Sequence, residues 1–259
     1  MKKNLLVGIV AIFLVMAVVL TYLFLRFGTA NMPYIPGMTR PIDTGSIVEH
    51  ATYYDIAAKY ATTTPLLAIA GRAADEAAVK LMKKFVDDII VNFKANENFA
   101  NLTLEDIKMM GFADGRKQTL TISNLTASSP HTVSYIFNIY KDTFGAHGNT
   151  YYRTFTFDRQ SGESLTLADI FVKDATYLDT LSSISRAKLP DIIDKDMVDA
   201  GMIADGTTPE HKSFENFFLD GTSLVIIFPP YAVAPYAAGS QTLAVPLSSL
   251  KTILEPRYM

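Results

Sequence analysis

Four histidines, His50, His131, His147 and His211, and no cysteine supply the metal-binding and nucleophilic repertoire of this 259-residue chain. No histidine stands in a His-x-x-x-His or His-Glu arrangement, so their spacing does not support metal ligation. Each reads first as a turn or surface histidine. His147, in Gly145-Ala146-His147-Gly148 beside an aromatic strand, is the exception kept as a candidate ligand-binding residue. Without cysteine there is no thiolate metal site, no disulfide framework and no thiol for lipid attachment. No Gly-x-Ser-x-Gly elbow occurs. No cofactor is expected. Two carboxylate pairs, Glu163 with Asp169 and Glu215 with Asp220, are the candidates for sugar hydrolysis, which needs such groups about 5–9.5 Å apart across a cleft. Asp169, in Leu-Ala-Asp-Ile-Phe, reads equally as a helical-turn residue.

The richer chemistry lies in residues 229–239, PPYAVAPYAAG. Tyr231 and Tyr236, stiffened by Pro229, Pro230 and Pro235 and closed by Gly239, offer rigid amphipathic surface at low entropic cost. Tyrosine faces also stack on sugar rings. The competing reading has both rings packing back on the preceding hairpin, their hydroxyls satisfied by backbone, with Gly239 supplying only a positive-φ turn.

The elements that must position this loop begin with an apolar strand over residues 214–219, an Asp220-Gly221 turn expected to be type I′, and a second strand over 222–228. Val225-Ile226-Ile227-Phe228 is apolar on both faces, which predicts a central, covered position. Upstream, residues 47–60 read as a strand and 66–70 as a further short strand. Ala74, Ala77, Ala78, Leu81, Phe85, Val86, Ile89 and Phe93 recur at helical spacing over residues 73–96, with Asp75-Glu76 at the favoured end of the dipole. Residues 118–126, 132–143 and 150–158 are strands by period and by β-branched or aromatic content. Residues 174–189 read as a helix stopping at Pro190, and 191–202 as another.

Residues 5–25 are uncharged, preceded by Lys2-Lys3 and followed by Arg26. A helix of that length spans about 31 Å, the thickness of a hydrocarbon core, and is long for a cleaved signal. The expectation is a single-pass anchor in the lipid bilayer, its N-terminus cytoplasmic and its bulk extracytoplasmic in the cell envelope. The alternative is secretion after cleavage near Ala30. Residues 27–45, with three prolines and three glycines, read as a linker. Net charge is −3, which gives no basic surface for nucleic acid. The expected organisation is α+β: an anchor over 1–26, a linker over 27–45, and two small subdomains, 46–128 and 129–259, joined near Ser128-Ser129-Pro130. Each is expected to be a mostly antiparallel sheet with packed helices.

Three pieces carry a family likeness: residues 147–171 (HGNTYYRTFTFDRQSGESLTLADIF), 214–228 (FENFFLDGTSLVIIF) and 229–250 (PPYAVAPYAAGSQTLAVPLSSL). The pattern Phe-x-x-Tyr-x-x-Ala-x-Tyr-x-x-Gly falls on Phe228, Tyr231, Ala234, Tyr236 and Gly239. These stretches resemble the extracytoplasmic domain of unknown function that closes lysozyme-sensing anti-sigma factors of the RsiV type and occurs in peptidoglycan deacetylases of the PdaC type. Residues 47–125 resemble the domain that precedes it there, so the likeness covers about four-fifths of the chain. Many members carry a polar or acidic residue where Ala232 stands here. The anti-sigma members also have a cytoplasmic domain, whereas four residues precede the apolar segment here, and the deacetylase members have a metal-binding catalytic domain whose motif this sequence lacks.

What the resemblance then implies is the shared module alone, a non-catalytic envelope binder or sensor for peptidoglycan or a wall-active protein such as lysozyme. The alternative is a carboxylate-based cell-wall glycan hydrolase or a deacetylase-associated enzyme.

Overall fold

The computed structural model describes residues 38–39 and 44–259; the expected membrane segment, residues 5–25, and most of the linker lie outside the described residues. Strand β2 (Thr44–His50) pairs antiparallel with β3 (Tyr54–Ala61). The chain then crosses through helices α1 (Leu66–Ile69), α2 (Arg72–Asn96) and α3 (Leu104–Met109) into β4 (Gln118–Ser128), which runs parallel to β3. A parallel pair requires such a crossover. β5 (Thr132–Asp142), β6 (Asn149–Asp158) and the two-residue β7 (Ser164–Leu165) continue the sheet antiparallel, and β1 (Met38–Thr39) extends it beside the far end of β4.

Helix α2 lies on this sheet. Ala78, Met82, Val86, Ile90 and Phe93 are buried along one stripe against Ile56, Leu120, Ile122 and Phe137. The stripe is turned from the expected one, since Met82 is buried and Leu81 is 40% exposed. Phe85 still reaches the core by edge-on contacts with Phe137 and Phe155. Asp75 is buried because its carboxylate accepts the Thr64 N–H, closing the turn before α1. The strand expected at 66–70 is instead α1, opened at Pro65 and closed by Ala70 N–H donating to the Leu66 carbonyl.

A second apolar cluster gathers helix α4 (Tyr177–Ile192), the short α5 (Ala200–Gly206) and a three-stranded antiparallel sheet, β8 (Phe217–Leu219), β9 (Ser223–Phe228) and β10 (Gln241–Pro246). β9 is central, with Leu224 to Phe228 buried, as its apolar faces predict. The turn before β9 is not the expected type I′ over Asp220-Gly221: Gly221 takes φ +98, Asp220 does not have positive φ, and the Asp220 carboxylate accepts Thr222 and Ser223 N–H groups instead. Helix α4 passes Pro190 by two residues, because a proline in the last turn forfeits one bond and Ile193 N–H still reaches the Leu189 carbonyl. The helix expected over 191–202 is broken by Asp194 and Asp199, each capping a new turn with its carboxylate.

The two sheets are joined at one seam. Thr154 of β6 donates its N–H to Asn216 Oδ1, and its hydroxyl accepts the Phe217 N–H at 3.0 Å. Thr156 Oγ1 donates to the Phe217 carbonyl. The described residues belong to one compact unit that holds both apolar clusters. Ser128 and Thr132 border the turn of the β4–β5 hairpin, whose strands pair from Thr119↔Asp142 to Ser128↔Val133. Among the described residues no helix is long and apolar enough to cross a membrane.

Candidate functional site

The loop after β9 is held from beneath. Val233 and Ala234 are buried in the second core, and Gly206 at the end of α5 abuts the loop so closely that an added Cβ would lie 1.8 Å from the Ala232 carbonyl oxygen. Ala232 N–H donates to the Pro229 carbonyl, and Ala238 N–H to that of Pro235, which opens a 3-10 turn over Tyr236–Ala238. Pro229, Pro230 and Pro235 are half-buried. Gly239 closes the loop at φ +68.

With the loop pinned inward at Val233 and Ala234, Tyr231 and Tyr236 turn toward the β5–β6 connection. Tyr231 is 56% exposed and sits at φ +69. That conformation costs a non-glycine residue about 1–2 kcal/mol and is held by its surroundings. His147 stacks on Tyr236 with ring centroids 3.7 Å apart and planes 16° from parallel. Its Nε2 lies 3.1 Å from the Tyr231 hydroxyl and its Nδ1 3.0 Å from the Gly148 carbonyl. A carbonyl only accepts, so Nδ1 carries the hydrogen. In the neutral ring Nε2 is then an acceptor and Tyr231 Oη donates to it. The Tyr236 hydroxyl donates to the same Gly148 carbonyl at 2.6 Å. Gly148 leaves room for the Tyr140 ring, since a Cβ there would lie 2.3 Å from the Tyr140 hydroxyl oxygen and one of the two would have to shift.

The structure therefore brings His147, Tyr231 and Tyr236 into one cluster, with the three prolines and Gly239 as its frame. Tyr236 takes a backbone partner for its hydroxyl, but from the 147–148 turn rather than from the β8–β9 hairpin. Tyr140, Asn138, Tyr152 and Ser240 complete the surroundings and were not foreseen. Ser240 and Asn138 both donate to the Tyr152 hydroxyl, at 2.9 and 3.3 Å. Burial pushes the Tyr140 phenol up, with Asp142 and Tyr236 adding to it. Burial likewise pushes Tyr152 up, against its bonds with Ser240 and Asn138. The alternation of Asn138 and Tyr140 along β5 was the available signal: both sit on one face of a strand.

The other chemical candidates are scattered. His50 pairs with Asp55, His211 contacts the Tyr177 hydroxyl, and His131 borders a separate cleft. Burial would raise the Asp55 carboxyl, but His50 and Lys117 outweigh it and hold it below its usual range. Three of the four proposed carboxylates have local work. Asp169 accepts both the N–H and hydroxyl of Thr166, Asp220 ties its turn, and Glu215 faces Arg153 at 3.4 Å. Among the described residues no group of three His, Asp or Glu side chains gathers to hold a metal ion.

A family model described as a protein of unknown function (DUF3298) matches residues 168–248, which include the aromatic loop. Residues of this chain are 36% identical over 129 positions to the peptidoglycan-N-acetylmuramic acid deacetylase PdaC of Bacillus subtilis, covering 49% of this chain and 27% of that protein. They are 26% identical over 119 positions to an esterase of Mycobacterium tuberculosis, covering 46% and 51%. The chain thus matches about a quarter and about half of the length of these curated relatives. Two solved DUF3298 proteins share the fold. One, from Bacteroides fragilis, has TM-score 0.50 and 20% identity over 83% of this chain and 94% of its own. The other, from Pseudomonas aeruginosa, has TM-score 0.52 and 15% identity over 85% and 97%.

Proposed function

We propose that this protein is a non-catalytic binding or sensing module of the cell envelope, and that the ring surface of Tyr231, Tyr236 and His147 is where it meets its ligand. The observation that carries the reading is Tyr231, a residue more than half exposed, held in a costly backbone conformation with its hydroxyl fastened to His147. A residue strained and yet presented to solvent is what a preorganised contact needs. The proposed ligand is the glycan of peptidoglycan, whose sugar faces pack on flat aromatic rings, or a wall-active protein such as lysozyme. The substrate class in the name of the deacetylase relative supports a wall ligand. The uncharged segment 5–25, with Lys2 and Lys3 before it, supports attachment to the bilayer with the bulk outside. Co-sedimentation of the full-length chain with purified peptidoglycan, and its titration with lysozyme, tests the reading: binding by the native chain that Tyr231→Ala abolishes supports it.

The names of both curated relatives favour a second reading, removal of acyl groups. Turnover of p-nitrophenyl acetate or of acetylated glycan fragments, lost in a variant of this chain's own carboxylates or of His147, would replace the first reading with the second.

A further inference from the structure

At the opposite end of β6 from the aromatic cluster lies a cleft of about 450 Å³ bordered by Ile69, Pro130, His131, Asp158, Arg159 and Arg257. β6 has ten residues, so the two places are separated by roughly 30 Å along the strand.

Three segments build the walls, and each is locked. Arg159 N–H donates to the His131 carbonyl at 2.8 Å, which fixes those two residues across from each other at the mouth. Gly162 N–H donates to the Asp158 carbonyl, and Gly162 approaches Ala74 so closely that a Cβ would lie 2.3 Å from that residue's Cβ; the turn is thereby clamped to α2, next to the exposed Ile69. The third wall is the C-terminal turn Pro256–Tyr258, rooted by the buried Tyr258, whose hydroxyl reaches Asp158 Oδ2 at 3.4 Å.

Charge decides what such a cleft can take. Asp158 is spent on structure: Oδ1 accepts the Gln160 and Ser161 N–H groups, and Oδ2 takes Tyr258 and Arg257, the last at 3.5 Å. Arg257 therefore offsets Asp158. Arg159 donates Nη1–H to the Ser129 carbonyl at 3.0 Å, and among the described residues no carboxylate reaches it within ion-pair distance. A guanidinium has five N–H donors, so most of its fork remains for a ligand. Among the residues that border the cleft, Asp158, Arg159 and Arg257 leave a balance of one positive charge. One positive charge balances a monoanion and would leave a doubly charged phosphate half compensated, and the planar fork can hold a carboxylate bidentately. Ile69 and Pro130 supply an apolar wall beside it.

We infer that this cleft binds a free carboxylate carried on a small aliphatic group, the chemistry shared by a short aliphatic acid and by the C-terminal alanine of a peptide, with Arg159 as the residue that grips it. The site is independent of the aromatic surface.

The test is calorimetric titration of the full-length chain, in detergent for its apolar segment 5–25, with N-acetyl-alanyl-alanine, its C-terminal amide, propionate and inorganic phosphate. The dipeptide acid is expected to bind at least ten-fold more tightly than the amide and than phosphate. Propionate binding as tightly as the dipeptide identifies the free acid as sufficient; weaker propionate binding identifies the peptide terminus. Arg159→Gln should lose at least ten-fold and Tyr231→Ala nothing. Arg159→Lys, which keeps the charge and a donor toward Ser129, should keep the melting temperature and still bind several-fold more weakly. Equal binding of acid and amide, tighter binding of phosphate, no binding of any acid, or undiminished binding by Arg159→Lys would overturn the inference.

Discussion

Tyr231 and His147 stand 84 positions apart in the chain and meet hydroxyl to imidazole at 3.1 Å. The contact links the loop after β9, rooted in the second core, to the turn that opens β6, rooted in the first sheet. It places a strained, exposed ring where two separately packed parts of the molecule converge.

That strain makes a separable prediction. Tyr231→Gly relieves a positive φ worth about 1–2 kcal/mol, which offsets the lost hydroxyl bond to His147 and the entropy glycine adds to the unfolded chain, so the melting temperature should stay close to that of the native chain. It also removes the ring, so binding to peptidoglycan or lysozyme should disappear. A variant that is about as stable and does not bind separates function from folding; one that binds normally shows the ring to be idle.

Gly148→Ala should act through Tyr140. The new methyl meets that ring at 2.3–2.5 Å, and overpacking of this kind costs about 1–3 kcal/mol. Adding Tyr140→Ala should restore much of the stability, which a double-mutant cycle by urea denaturation would read directly. Additive losses would show that the two residues do not meet as described.

Asp158 gives a pH dependence. Burial pushes its carboxyl up, but the N–H groups of Ser161 and Gln160, with Arg257 and Tyr258, outweigh burial and hold it below the usual range. A group with a depressed folded value stabilises the fold above its unfolded value near 3.8, and that stability is lost as pH falls through the folded value. The native chain should therefore lose more stability between pH 5 and about 2 than Asp158→Asn does. Parallel losses would contradict the bonding described. At the alkaline end, burial pushes the Tyr258 phenol up to about 12, so stability should fall as pH rises from 10 toward that value.

Much of this was legible in local pattern. The period-2 runs of β4, β5 and β6, the 3.6-residue recurrence of α2 and the two-faced apolar run of β9 are signals that packing reinforces. The failures were local decisions settled by side-chain caps and turns. Asp194 and Asp199 broke a helix by offering their carboxylates to the backbone, and Asp220 used its side chain where a type I′ turn needed its φ. The candidate site was half visible. The ring-and-proline content of 229–239 marked Tyr231 and Tyr236, and the glycine-rich turn marked His147, but nothing in the sequence joined them. Their meeting depends on the Thr154–Phe217 seam between two sheets, a long-range arrangement that leaves no local periodicity. The cleft at Arg159 was missed for a related reason, since Ile69, Arg159 and Arg257 come from three distant segments.

The most direct test of the central claim is co-sedimentation of the full-length chain with purified peptidoglycan, run beside a calorimetric titration with lysozyme, for the native protein and for Tyr231→Ala and Tyr236→Ala. The account predicts binding of at least one of the two by the native chain and at least a ten-fold loss in each variant, with both variants still melting cooperatively as folded chains. Native binding that neither variant weakens, or no binding of either ligand, would contradict it.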